Sequence, residues 1–566
     1  MSTETAQTQP ILIVGAGPSG LISALTLRKN GVPVRLIERR TSPYGGIRGT
    51  TYQPRIQQIF ASLGVLDDIM TRTQGITRIA AHGAGKEILE LKEFVQLAPE
   101  SPGIPYRVPI VLSQASLEEV LRDHVEKAGV KIEWGVALTG LSQDDDKVAV
   151  RLVTDGKEIE ESFPYVLAAD GGQGATRRAL GLAFLGESHR EDVLLTANIE
   201  TDDIGHDHWH RWGQHGDTVF FLKPIKPAPL FQVQVMGRLP APLPKDTEGL
   251  QTLFNTISKS TDIKLRNATW ISEWHANIRM TDKFNVGRVF LVGECAHCHS
   301  PAGAQGANSG IMDAMNLAWK IALVHKSLAH PSLLSTYETE RLPTIAEMLN
   351  KTTELHKNAF HHTPTSSALA SGAPAVDPKA AKDPMFRPVT GSQLGVNYRW
   401  SPLAIDGRAL GGTDTDEETQ KNPYGRIGDK VRAGDRAPDA PGLKEVSLSA
   451  PASTGQQTTL HKVIAGCDRH HIIVFTDVDH VDSESLAAFD KYVSSGVAST
   501  SIILASGTST GSLSSGENRG VRVFVDEAGH AYNGYDVENG KTVYVVIRPD
   551  GMIGAYAGGI VLSEDC

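Results

Sequence analysis

The first patterned stretch of the chain is a run of four apolar residues, 11–14, that stops at a glycine. An unbroken apolar run of this length predicts a strand buried on both faces of a parallel sheet. Residues 21–28 then repeat apolar positions at helical spacing and are stopped by Asn30-Gly31. A second buried strand is predicted over 32–37, ending on Glu38, and a further helix over 54–63, stopped by Gly64. Over 116–128, Leu117, Val120, Leu121 and Val125 share one face of an amphipathic helix. Strands are predicted over 147–152 and 165–169, the second running into Asp170-Gly171-Gly172. The opening pattern is therefore strand, turn, helix, strand.

From about Val193 to Arg279 the periods become short and strand-like. Residues 218–222, 230–236 and 268–277 are the candidate strands of an antiparallel sheet. A buried strand follows over 289–292, then a Gly-rich loop and a long helix from about Asn308 to Leu328. About 363–388 the chain is rich in Ala, Ser and Pro, which predicts a long loop. The last 130 or so residues read as a separate small α/β unit, with strands over 471–475, 500–504 and 542–547. No internal repeat is evident.

A chain of 566 residues is too long for one hydrophobic core, and about three domains are expected. The net charge of -10 argues against a nucleic-acid partner and gives no help in holding an anionic membrane. Residues 1–10 lack the basic and apolar parts of a secretory signal. No apolar run approaches the roughly 18 residues that span a bilayer. Four cysteines are too few for a disulfide framework, so a reduced, cytoplasmic enzyme is expected.

The candidate chemistry begins at Gly15-Ala-Gly17-Pro-Ser19-Gly20, which follows the first strand and opens the first helix. In a dinucleotide-binding turn, Gly15 allows the tight bend, Gly17 lets a pyrophosphate reach the backbone and Gly20 lets helix and strand pack closely. The helix N-terminus supplies amide donors and a partial positive charge. Glu38, at the end of the second strand, can accept two hydrogen bonds from a ribose. This motif alone does not separate FAD from NAD.

Three separated blocks make the chain resemble the class A FAD-dependent aromatic hydroxylases, in particular the phenol-hydroxylase-like type. The first is the glycine turn with Glu38-Arg39, then Arg48 and Gln53-Pro54-Arg55. The second is Asp170-Gly171 followed by Arg177, similar to the family's DG motif. The third is Gly293-Glu294-Cys-Ala-His297, then Pro301, Gly303, Gly306, Ala307, Asn308 and Asp313-Ala-Met-Asn316-Leu-Ala-Trp319-Lys320. The resemblance implies that Arg39 lies by the adenine, Arg48 near the flavin, Gln114 at the ribityl side and Pro301 at the flavin edge. It makes Arg48 and Pro301 the candidate catalytic residues. Backbone amides from Gly306 to Asn308 would stabilise negative charge on the reduced ring. Two positions depart from the family pattern: Glu294 stands where Asp is usual, and Gly174 stands where the DG motif carries a small hydroxyl residue.

The implied fold class is α/β: a Rossmann-type FAD-binding domain with a β-rich substrate domain inserted, plus a C-terminal thioredoxin-like α/β domain. The expected boundaries are 1–185 for the first part of the FAD-binding domain and 186–284 for the β-rich domain. The flavin loop, its helices and the long loop fall in 285–400, and the thioredoxin-like domain in 401–566. Gly434-Asp-Arg-Ala-Pro-Asp439 and Arg548-Pro-Asp-Gly551 carry the last resemblance. That domain has only Cys467 and Cys566, far apart in sequence, so it is expected to be redox-inert and to serve structure or homodimer contacts.

The implied reaction uses reduced nicotinamide, with NADPH favoured over NADH, and dioxygen. A flavin C4a-hydroperoxide then delivers oxygen to a small phenolic or other electron-rich aromatic substrate. Decarboxylative hydroxylation of a hydroxybenzoate-like compound by the same intermediate is the alternative. A flavoprotein reductase without oxygen insertion is the alternative of another class, although only one dinucleotide fingerprint is present. Substrate-side candidates are Phe221, Gln232, Gln234, Trp274, Asn277 and Arg279. Gln232 and Gln234 share one strand face by the period of two. A phenol-hydroxylase base would fall near Thr50, which cannot serve as one. His206, His208 and His210 are expected in a solvated loop. Cys295-Ala-His297-Cys298-His299 looks in isolation like a redox pair or half a zinc site. Without a second ligand pair, Cys295 is expected instead to pack as a small apolar residue, and no metal is expected. No Ser/His/acid constellation is evident.

Overall fold

A computed structural model describes residues 9–46, 49–214, 217–237, 239, 241–300, 303–360, 386–408, 422–425, 427–428, 430–446, 455–476, 483–508 and 521–558. The two apolar runs at the start form adjacent parallel strands, Ile11–Val14 and Val34–Glu38. They lie inside a six-stranded sheet of order Asn285–Val286, Val289–Leu291, Val166–Ala168, Ile11–Val14, Val34–Glu38, Ile132–Trp134. All neighbours are parallel except the Asn285–Val286 hairpin. Every residue of Ile11–Val14 is buried, because both faces of this sheet are covered. On one face Ile11, Ile13 and Leu36 pack with Leu21, Leu25, Leu117, Leu121, Ile311 and Met315 of three helices. On the other, Leu12, Val14 and Ile37 pack with Val148, Val150 and Leu152 of a three-stranded antiparallel sheet.

The three covering helices are Pro18–Lys29, Gln114–Lys127 and Gly306–His325. Each begins two or three residues before the expected start. Helical apolar spacing marks only the buried face, whereas a helix begins where its backbone turns; Pro18 at the first helical position shows the difference. A fourth helix, Ser335–Phe360, has no counterpart among the expected elements, because Pro343 interrupts its pattern. A proline inside a helix leaves the carbonyl four residues earlier without a donor. Here Trp400 Nε1 donates to that carbonyl, Thr339 O, at 2.8 Å.

The alternating segments form an eight-stranded sheet of order His297–Cys298, Arg266–Met280, Leu185–Glu200, Leu230–Gly237, Thr218–Pro224, Trp209–Gly213, Arg78–His82, Ile88–Glu93. Two of its strands, Arg78–His82 and Ile88–Glu93, come from the sequence before residue 186. Period-two alternation divides its faces. Leu195, Ala197, Ile199, Phe220, Leu222, Phe231, Val233 and Val235 pack on one side with Leu250 and Phe254 of helix Thr247–Ser258. Val219 and Phe221 pack on the other with Ile76, Phe94 and Trp209.

His210 is not in a solvated loop. It lies in strand Trp209–Gly213, 2% exposed, and His208 beside it is also buried. The flanking Trp209 and Trp212 drive this strand into the sheet, and His210 is carried in with them. His82 Nε2 and His210 Nδ1 lie 2.9 Å apart, with His82 stacked on Trp212.

The C-terminal strands form a mixed eight-stranded sheet of order Ile405–Asp406, Ile553–Gly558, Val543–Ile547, His470–Thr476, Ala498–Ala505, Arg522–Asp526, Pro441–Val446, Gln457–Thr459. Cys467 is buried, while Cys566 lies outside the described residues. Most of the expected Ala/Ser/Pro loop, residues 363–385, also lies outside them. Among the described residues, no helix is long and apolar enough to cross a membrane.

Candidate functional site

The site is built where the first helix and the long Gly306–His325 helix start side by side. Gly15 has a φ of +106°, and a Cβ there would meet Ala169 O at 2.4 Å. A Cβ on Gly20 would meet Gly15 O at 1.9 Å. Both glycines are therefore required by the turn itself. Gly17 differs: a Cβ there meets nothing within 4 Å, so its backbone borders open space. The first helix has no side-chain cap and no acid in its first turn. Its free amides and dipole thus point at that space, as an anion site requires. Ser19 turns inward, its Oγ 2.5 Å from where a Cβ on Gly293 or on Gly310 would lie.

Glu38 lies at the other side of this turn. Its carboxylate accepts from the amides of Ala16 and Arg40, each at 3.0 Å, and from the Arg40 side chain. Burial pushes its pKa up, but these hydrogen bonds outweigh it, and the group is held below the ordinary carboxylate range. Arg39 is exposed.

The Asp170 loop shows how the departure at Gly174 is accommodated. A Cβ on Gly174 would lie 2.2 Å from Asp170 Oδ1. The hydroxyl comes instead from Thr176, whose Oγ1 and amide donate to Asp170 Oδ2 at 2.9 and 3.0 Å. Arg177 is buried and donates to Gly172 O and Cys295 O, which joins this loop to the Gly293 turn. Glu294 is exposed, near Gly171. Cys295 is fully buried next to Asp170, and burial and that neighbouring acid push its thiol well up. Among the described residues no group of three or more His, Cys, Asp or Glu could hold a metal ion.

The loop before the long helix is fastened by Asp313. Its carboxylate accepts from Gly293 N, His297 Nε2 and Arg341 Nε at 3.1, 2.7 and 2.7 Å. Burial pushes Asp313 up, but Arg341 and His297 more than reverse it. Gly306 opens the long helix without a side-chain cap or a first-turn acid. A Cβ on Gly306 would strike the His299 ring at 2.4 Å. Asn308 accepts from Gln53 N at 2.8 Å and donates to Thr51 O and Ala304 O, clasping the segment that follows Arg48. Gly49 N approaches Gln114 Oε1 at 3.5 Å, and a Cβ on Gly49 would lie 3.7 Å from Ala307 Cβ. Gly303 packs against Leu355 and Thr352. Arg48 and Pro301 lie outside the described residues.

The sheet meets this region through Thr50. Thr50 Oγ1 donates to Gln232 Oε1 at 3.4 Å, and Gln234 Nε2 donates to the same oxygen at 3.4 Å. Phe221 pairs across strands with Gln234, on the same face. Trp274 is half-buried opposite Leu194. Asn277 and Arg279 are drawn away from this group: both bind the Ser188 hydroxyl, and Arg279 also donates to Phe184 O.

Two groups were missed from sequence. One is Lys223, two residues from Phe221 on the same face, which the period of two could have found. The other is a Ser/His/acid line: Ser300 Oγ is 2.8 Å from His356 Nδ1, and His356 Nε2 is 2.8 Å from Asp192 Oδ2. Its members come from the flavin loop, the unexpected fourth helix and a strand irregularity between His189 and Val193. No sequence spacing relates them.

Comparisons with known proteins bear on this geometry. Residues 8–352 match the model of the FAD binding domain family. A flavin-dependent monooxygenase of Mycobacteroides abscessus is 32% identical over 438 residues, covering 76% of this chain and 83% of that one. Pentachlorophenol 4-monooxygenase of Sphingobium chlorophenolicum is 31% identical over 362 residues, 62% of this chain and 65% of its own. Among solved structures, the flavin-dependent monooxygenase PieE in complex with FAD and substrate has a TM-score of 0.75 at 20% identity, covering 97% of this chain and 96% of that one. A ternary complex of aklavinone-11 hydroxylase with FAD and aklavinone gives 0.71 at 21% identity, with 97% and 95% covered. At these identities the structural likeness establishes the fold alone.

Proposed function

Because this chain belongs to the FAD-dependent monooxygenases, we propose that it hydroxylates a phenolic or other electron-rich aromatic compound, with NADPH as reductant and dioxygen as co-substrate. Bound FAD supplies hydride acceptance and oxygen activation. The observation that carries the reading is the meeting of two uncapped helix starts, at Gly17 and Gly306, beside a sheet face that presents Phe221, Gln232 and Gln234. The open space at Gly17 fits a pyrophosphate on the first helix. Glu38 fits a ribose, once its bonds to Arg40 are shared. The amides at the start of the second helix fit the electron-rich edge of a reduced ring.

The residues of this chain then have three tasks. Asp313, His297 and Arg341 hold the flavin loop in one position. Asn308 and Gln114 hold the segment around Thr50 against the helix start. The sheet face orients an aromatic ring and keeps water from the reacting atoms. The 186–284 region serves as the substrate domain on this reading, with 1–185 and 285–400 forming the FAD-binding domain. The 401–566 unit is thioredoxin-like, which its strand order supports: a parallel trio, Arg522–Asp526, Ala498–Ala505 and His470–Thr476, continued by the antiparallel Val543–Ile547 and Ile553–Gly558.

The test follows NADPH and NADH oxidation against a panel of phenols, hydroxybenzoates and polycyclic phenols, with products identified by mass. At least one compound should stimulate oxidation and gain one oxygen atom. Stimulated oxidation with no oxygenated product from any compound would favour a reductase instead.

A further inference from the structure

The sheet face beside Thr50 carries a buried lysine. Lys223 lies on strand Thr218–Pro224, directly opposite Gln232 on the neighbouring strand Leu230–Gly237. Alternation places it with Phe221, on the side turned away from helix Thr247–Ser258. Its ammonium donates to Gln234 Oε1 and lies 4.1 Å from the centre of the Trp209 ring. Gln234 donates to Gln232, and Gln232 accepts from Thr50. A polar line thus runs along the sheet from Thr50 to Lys223.

The contacts of Lys223, with Gln234 and the Trp209 and Phe221 rings, are neutral. Among the described residues, no carboxylate forms an ion pair with it. Trp209 Nε1, a second donor on the same face, is buried with no acceptor. A buried ammonium is costly unless it is paired, and a buried N–H without an acceptor adds to that cost. An anionic oxygen beside the ammonium would supply the missing counter-charge. Burial, with a smaller contribution from Arg387, pushes Lys223 down to about 7 in the absence of a counter-charge.

We propose that Lys223 is a specificity-determining residue that binds an anionic oxygen, a ring carboxylate, at the end of the aromatic substrate away from Thr50. This rests on the reading of the sheet face as the substrate site. It adds that the substrate is acidic, so that neutral aromatics of the same shape bind weakly. Gln234 holds the ammonium in line.

The test is calorimetric titration of the FAD-loaded protein with aromatic acids and their methyl esters: 4-hydroxybenzoate, 1-hydroxy-2-naphthoate and a hydroxyanthraquinone carboxylate. At least one acid should bind about tenfold or more tighter than its ester, the scale of one lost charge-assisted contact. Lys223→Met should remove that preference while leaving ester affinity unchanged, and Lys223→Arg should keep part of it. If Lys223→Met does not fold, Lys223→Gln takes its place. Equal or undetectable binding of acid and ester by the wild type in every pair, or a preference that survives in the Met or Gln variant, overturns the proposal. FAD content is measured in the same samples by absorbance. Loss of flavin binding by the wild type would count against the monooxygenase reading, and equal acid and ester binding by a fully flavinated protein only against Lys223.

Discussion

At the scale of single residues, the three glycines of the first turn are not equivalent. A side chain at Gly15 or Gly20 collides with backbone, whereas one at Gly17 enters open space. Gly17 also has an extended backbone, with φ -78° and ψ -178°, that valine tolerates. Gly17→Val should therefore leave the FAD-free protein within about 1 kcal/mol of wild-type stability while abolishing flavin retention. Visible absorbance of the purified variant, with urea unfolding of both apoproteins, checks this; a fully yellow variant would remove the pyrophosphate from this turn. The motif that names these glycines is local, so it was legible from the chain alone. The neighbouring Asp170 loop was only half legible. Gly174 looked like a missing hydroxyl, but the chain folds back within four residues and Thr176 reaches the same carboxylate. Spacing counts residues along the chain and does not see such a return.

At the scale of elements, buried parallel strands and glycine-stopped helices were readable because each carries its own signature. The Ser335–Phe360 helix was not, since its proline is rescued by Trp400, 57 residues further on. That helix then delivers His356 between Ser300 and Asp192, joining the loop before the long helix to the eight-stranded sheet. The line has the atoms of a nucleophilic triad, yet all three side chains are buried, so its direct effect is to fix the loop that runs into Pro301. His356→Ala removes the middle partner of both hydrogen bonds. The expected cost is about 1–3 kcal/mol, the range for buried hydrogen-bonding groups that lose a partner, together with weaker FAD affinity as the loop loosens. Urea unfolding and flavin titration measure the two effects separately. Wild-type values for both would mean that the line holds nothing in place.

At the scale of the whole molecule, the units are joined by a buried charge network that no local pattern announces. Glu340, in the fourth helix, accepts from Lys320 of the long helix and from Arg548 of the C-terminal unit, which also pairs with Asp550. Arg548 lies 208 residues from Glu340 in sequence, so the Arg548-Pro-Asp-Gly551 turn was visible as a motif but its partner was not. Buried and half-buried histidines are spread across the same units and give the molecule a common response to acid. Burial pushes His82 to about 4 and His210 to about 3 in the substrate sheet, His299 to about 4 at the flavin loop, and His470 and His471 to about 4 in the C-terminal sheet. An unfolded histidine titrates near 6.5. Between that value and about 4, the unfolded chain therefore binds protons that the native protein refuses. Stability is then lost as pH falls. The lowered carboxylates, Asp313 and Glu340, add a loss of the same sign only below the ordinary carboxylate range. The urea midpoint should thus begin to fall just below pH 6.5 and keep falling to pH 4, before carboxylate protonation dominates. His82→Gln removes one of these sites without adding a charge and should make the fall shallower over that interval. A midpoint that stays level until pH 4, or a slope that the variant leaves unchanged, would show that the histidines titrate normally in the native protein and that its acid sensitivity lies with the carboxylates.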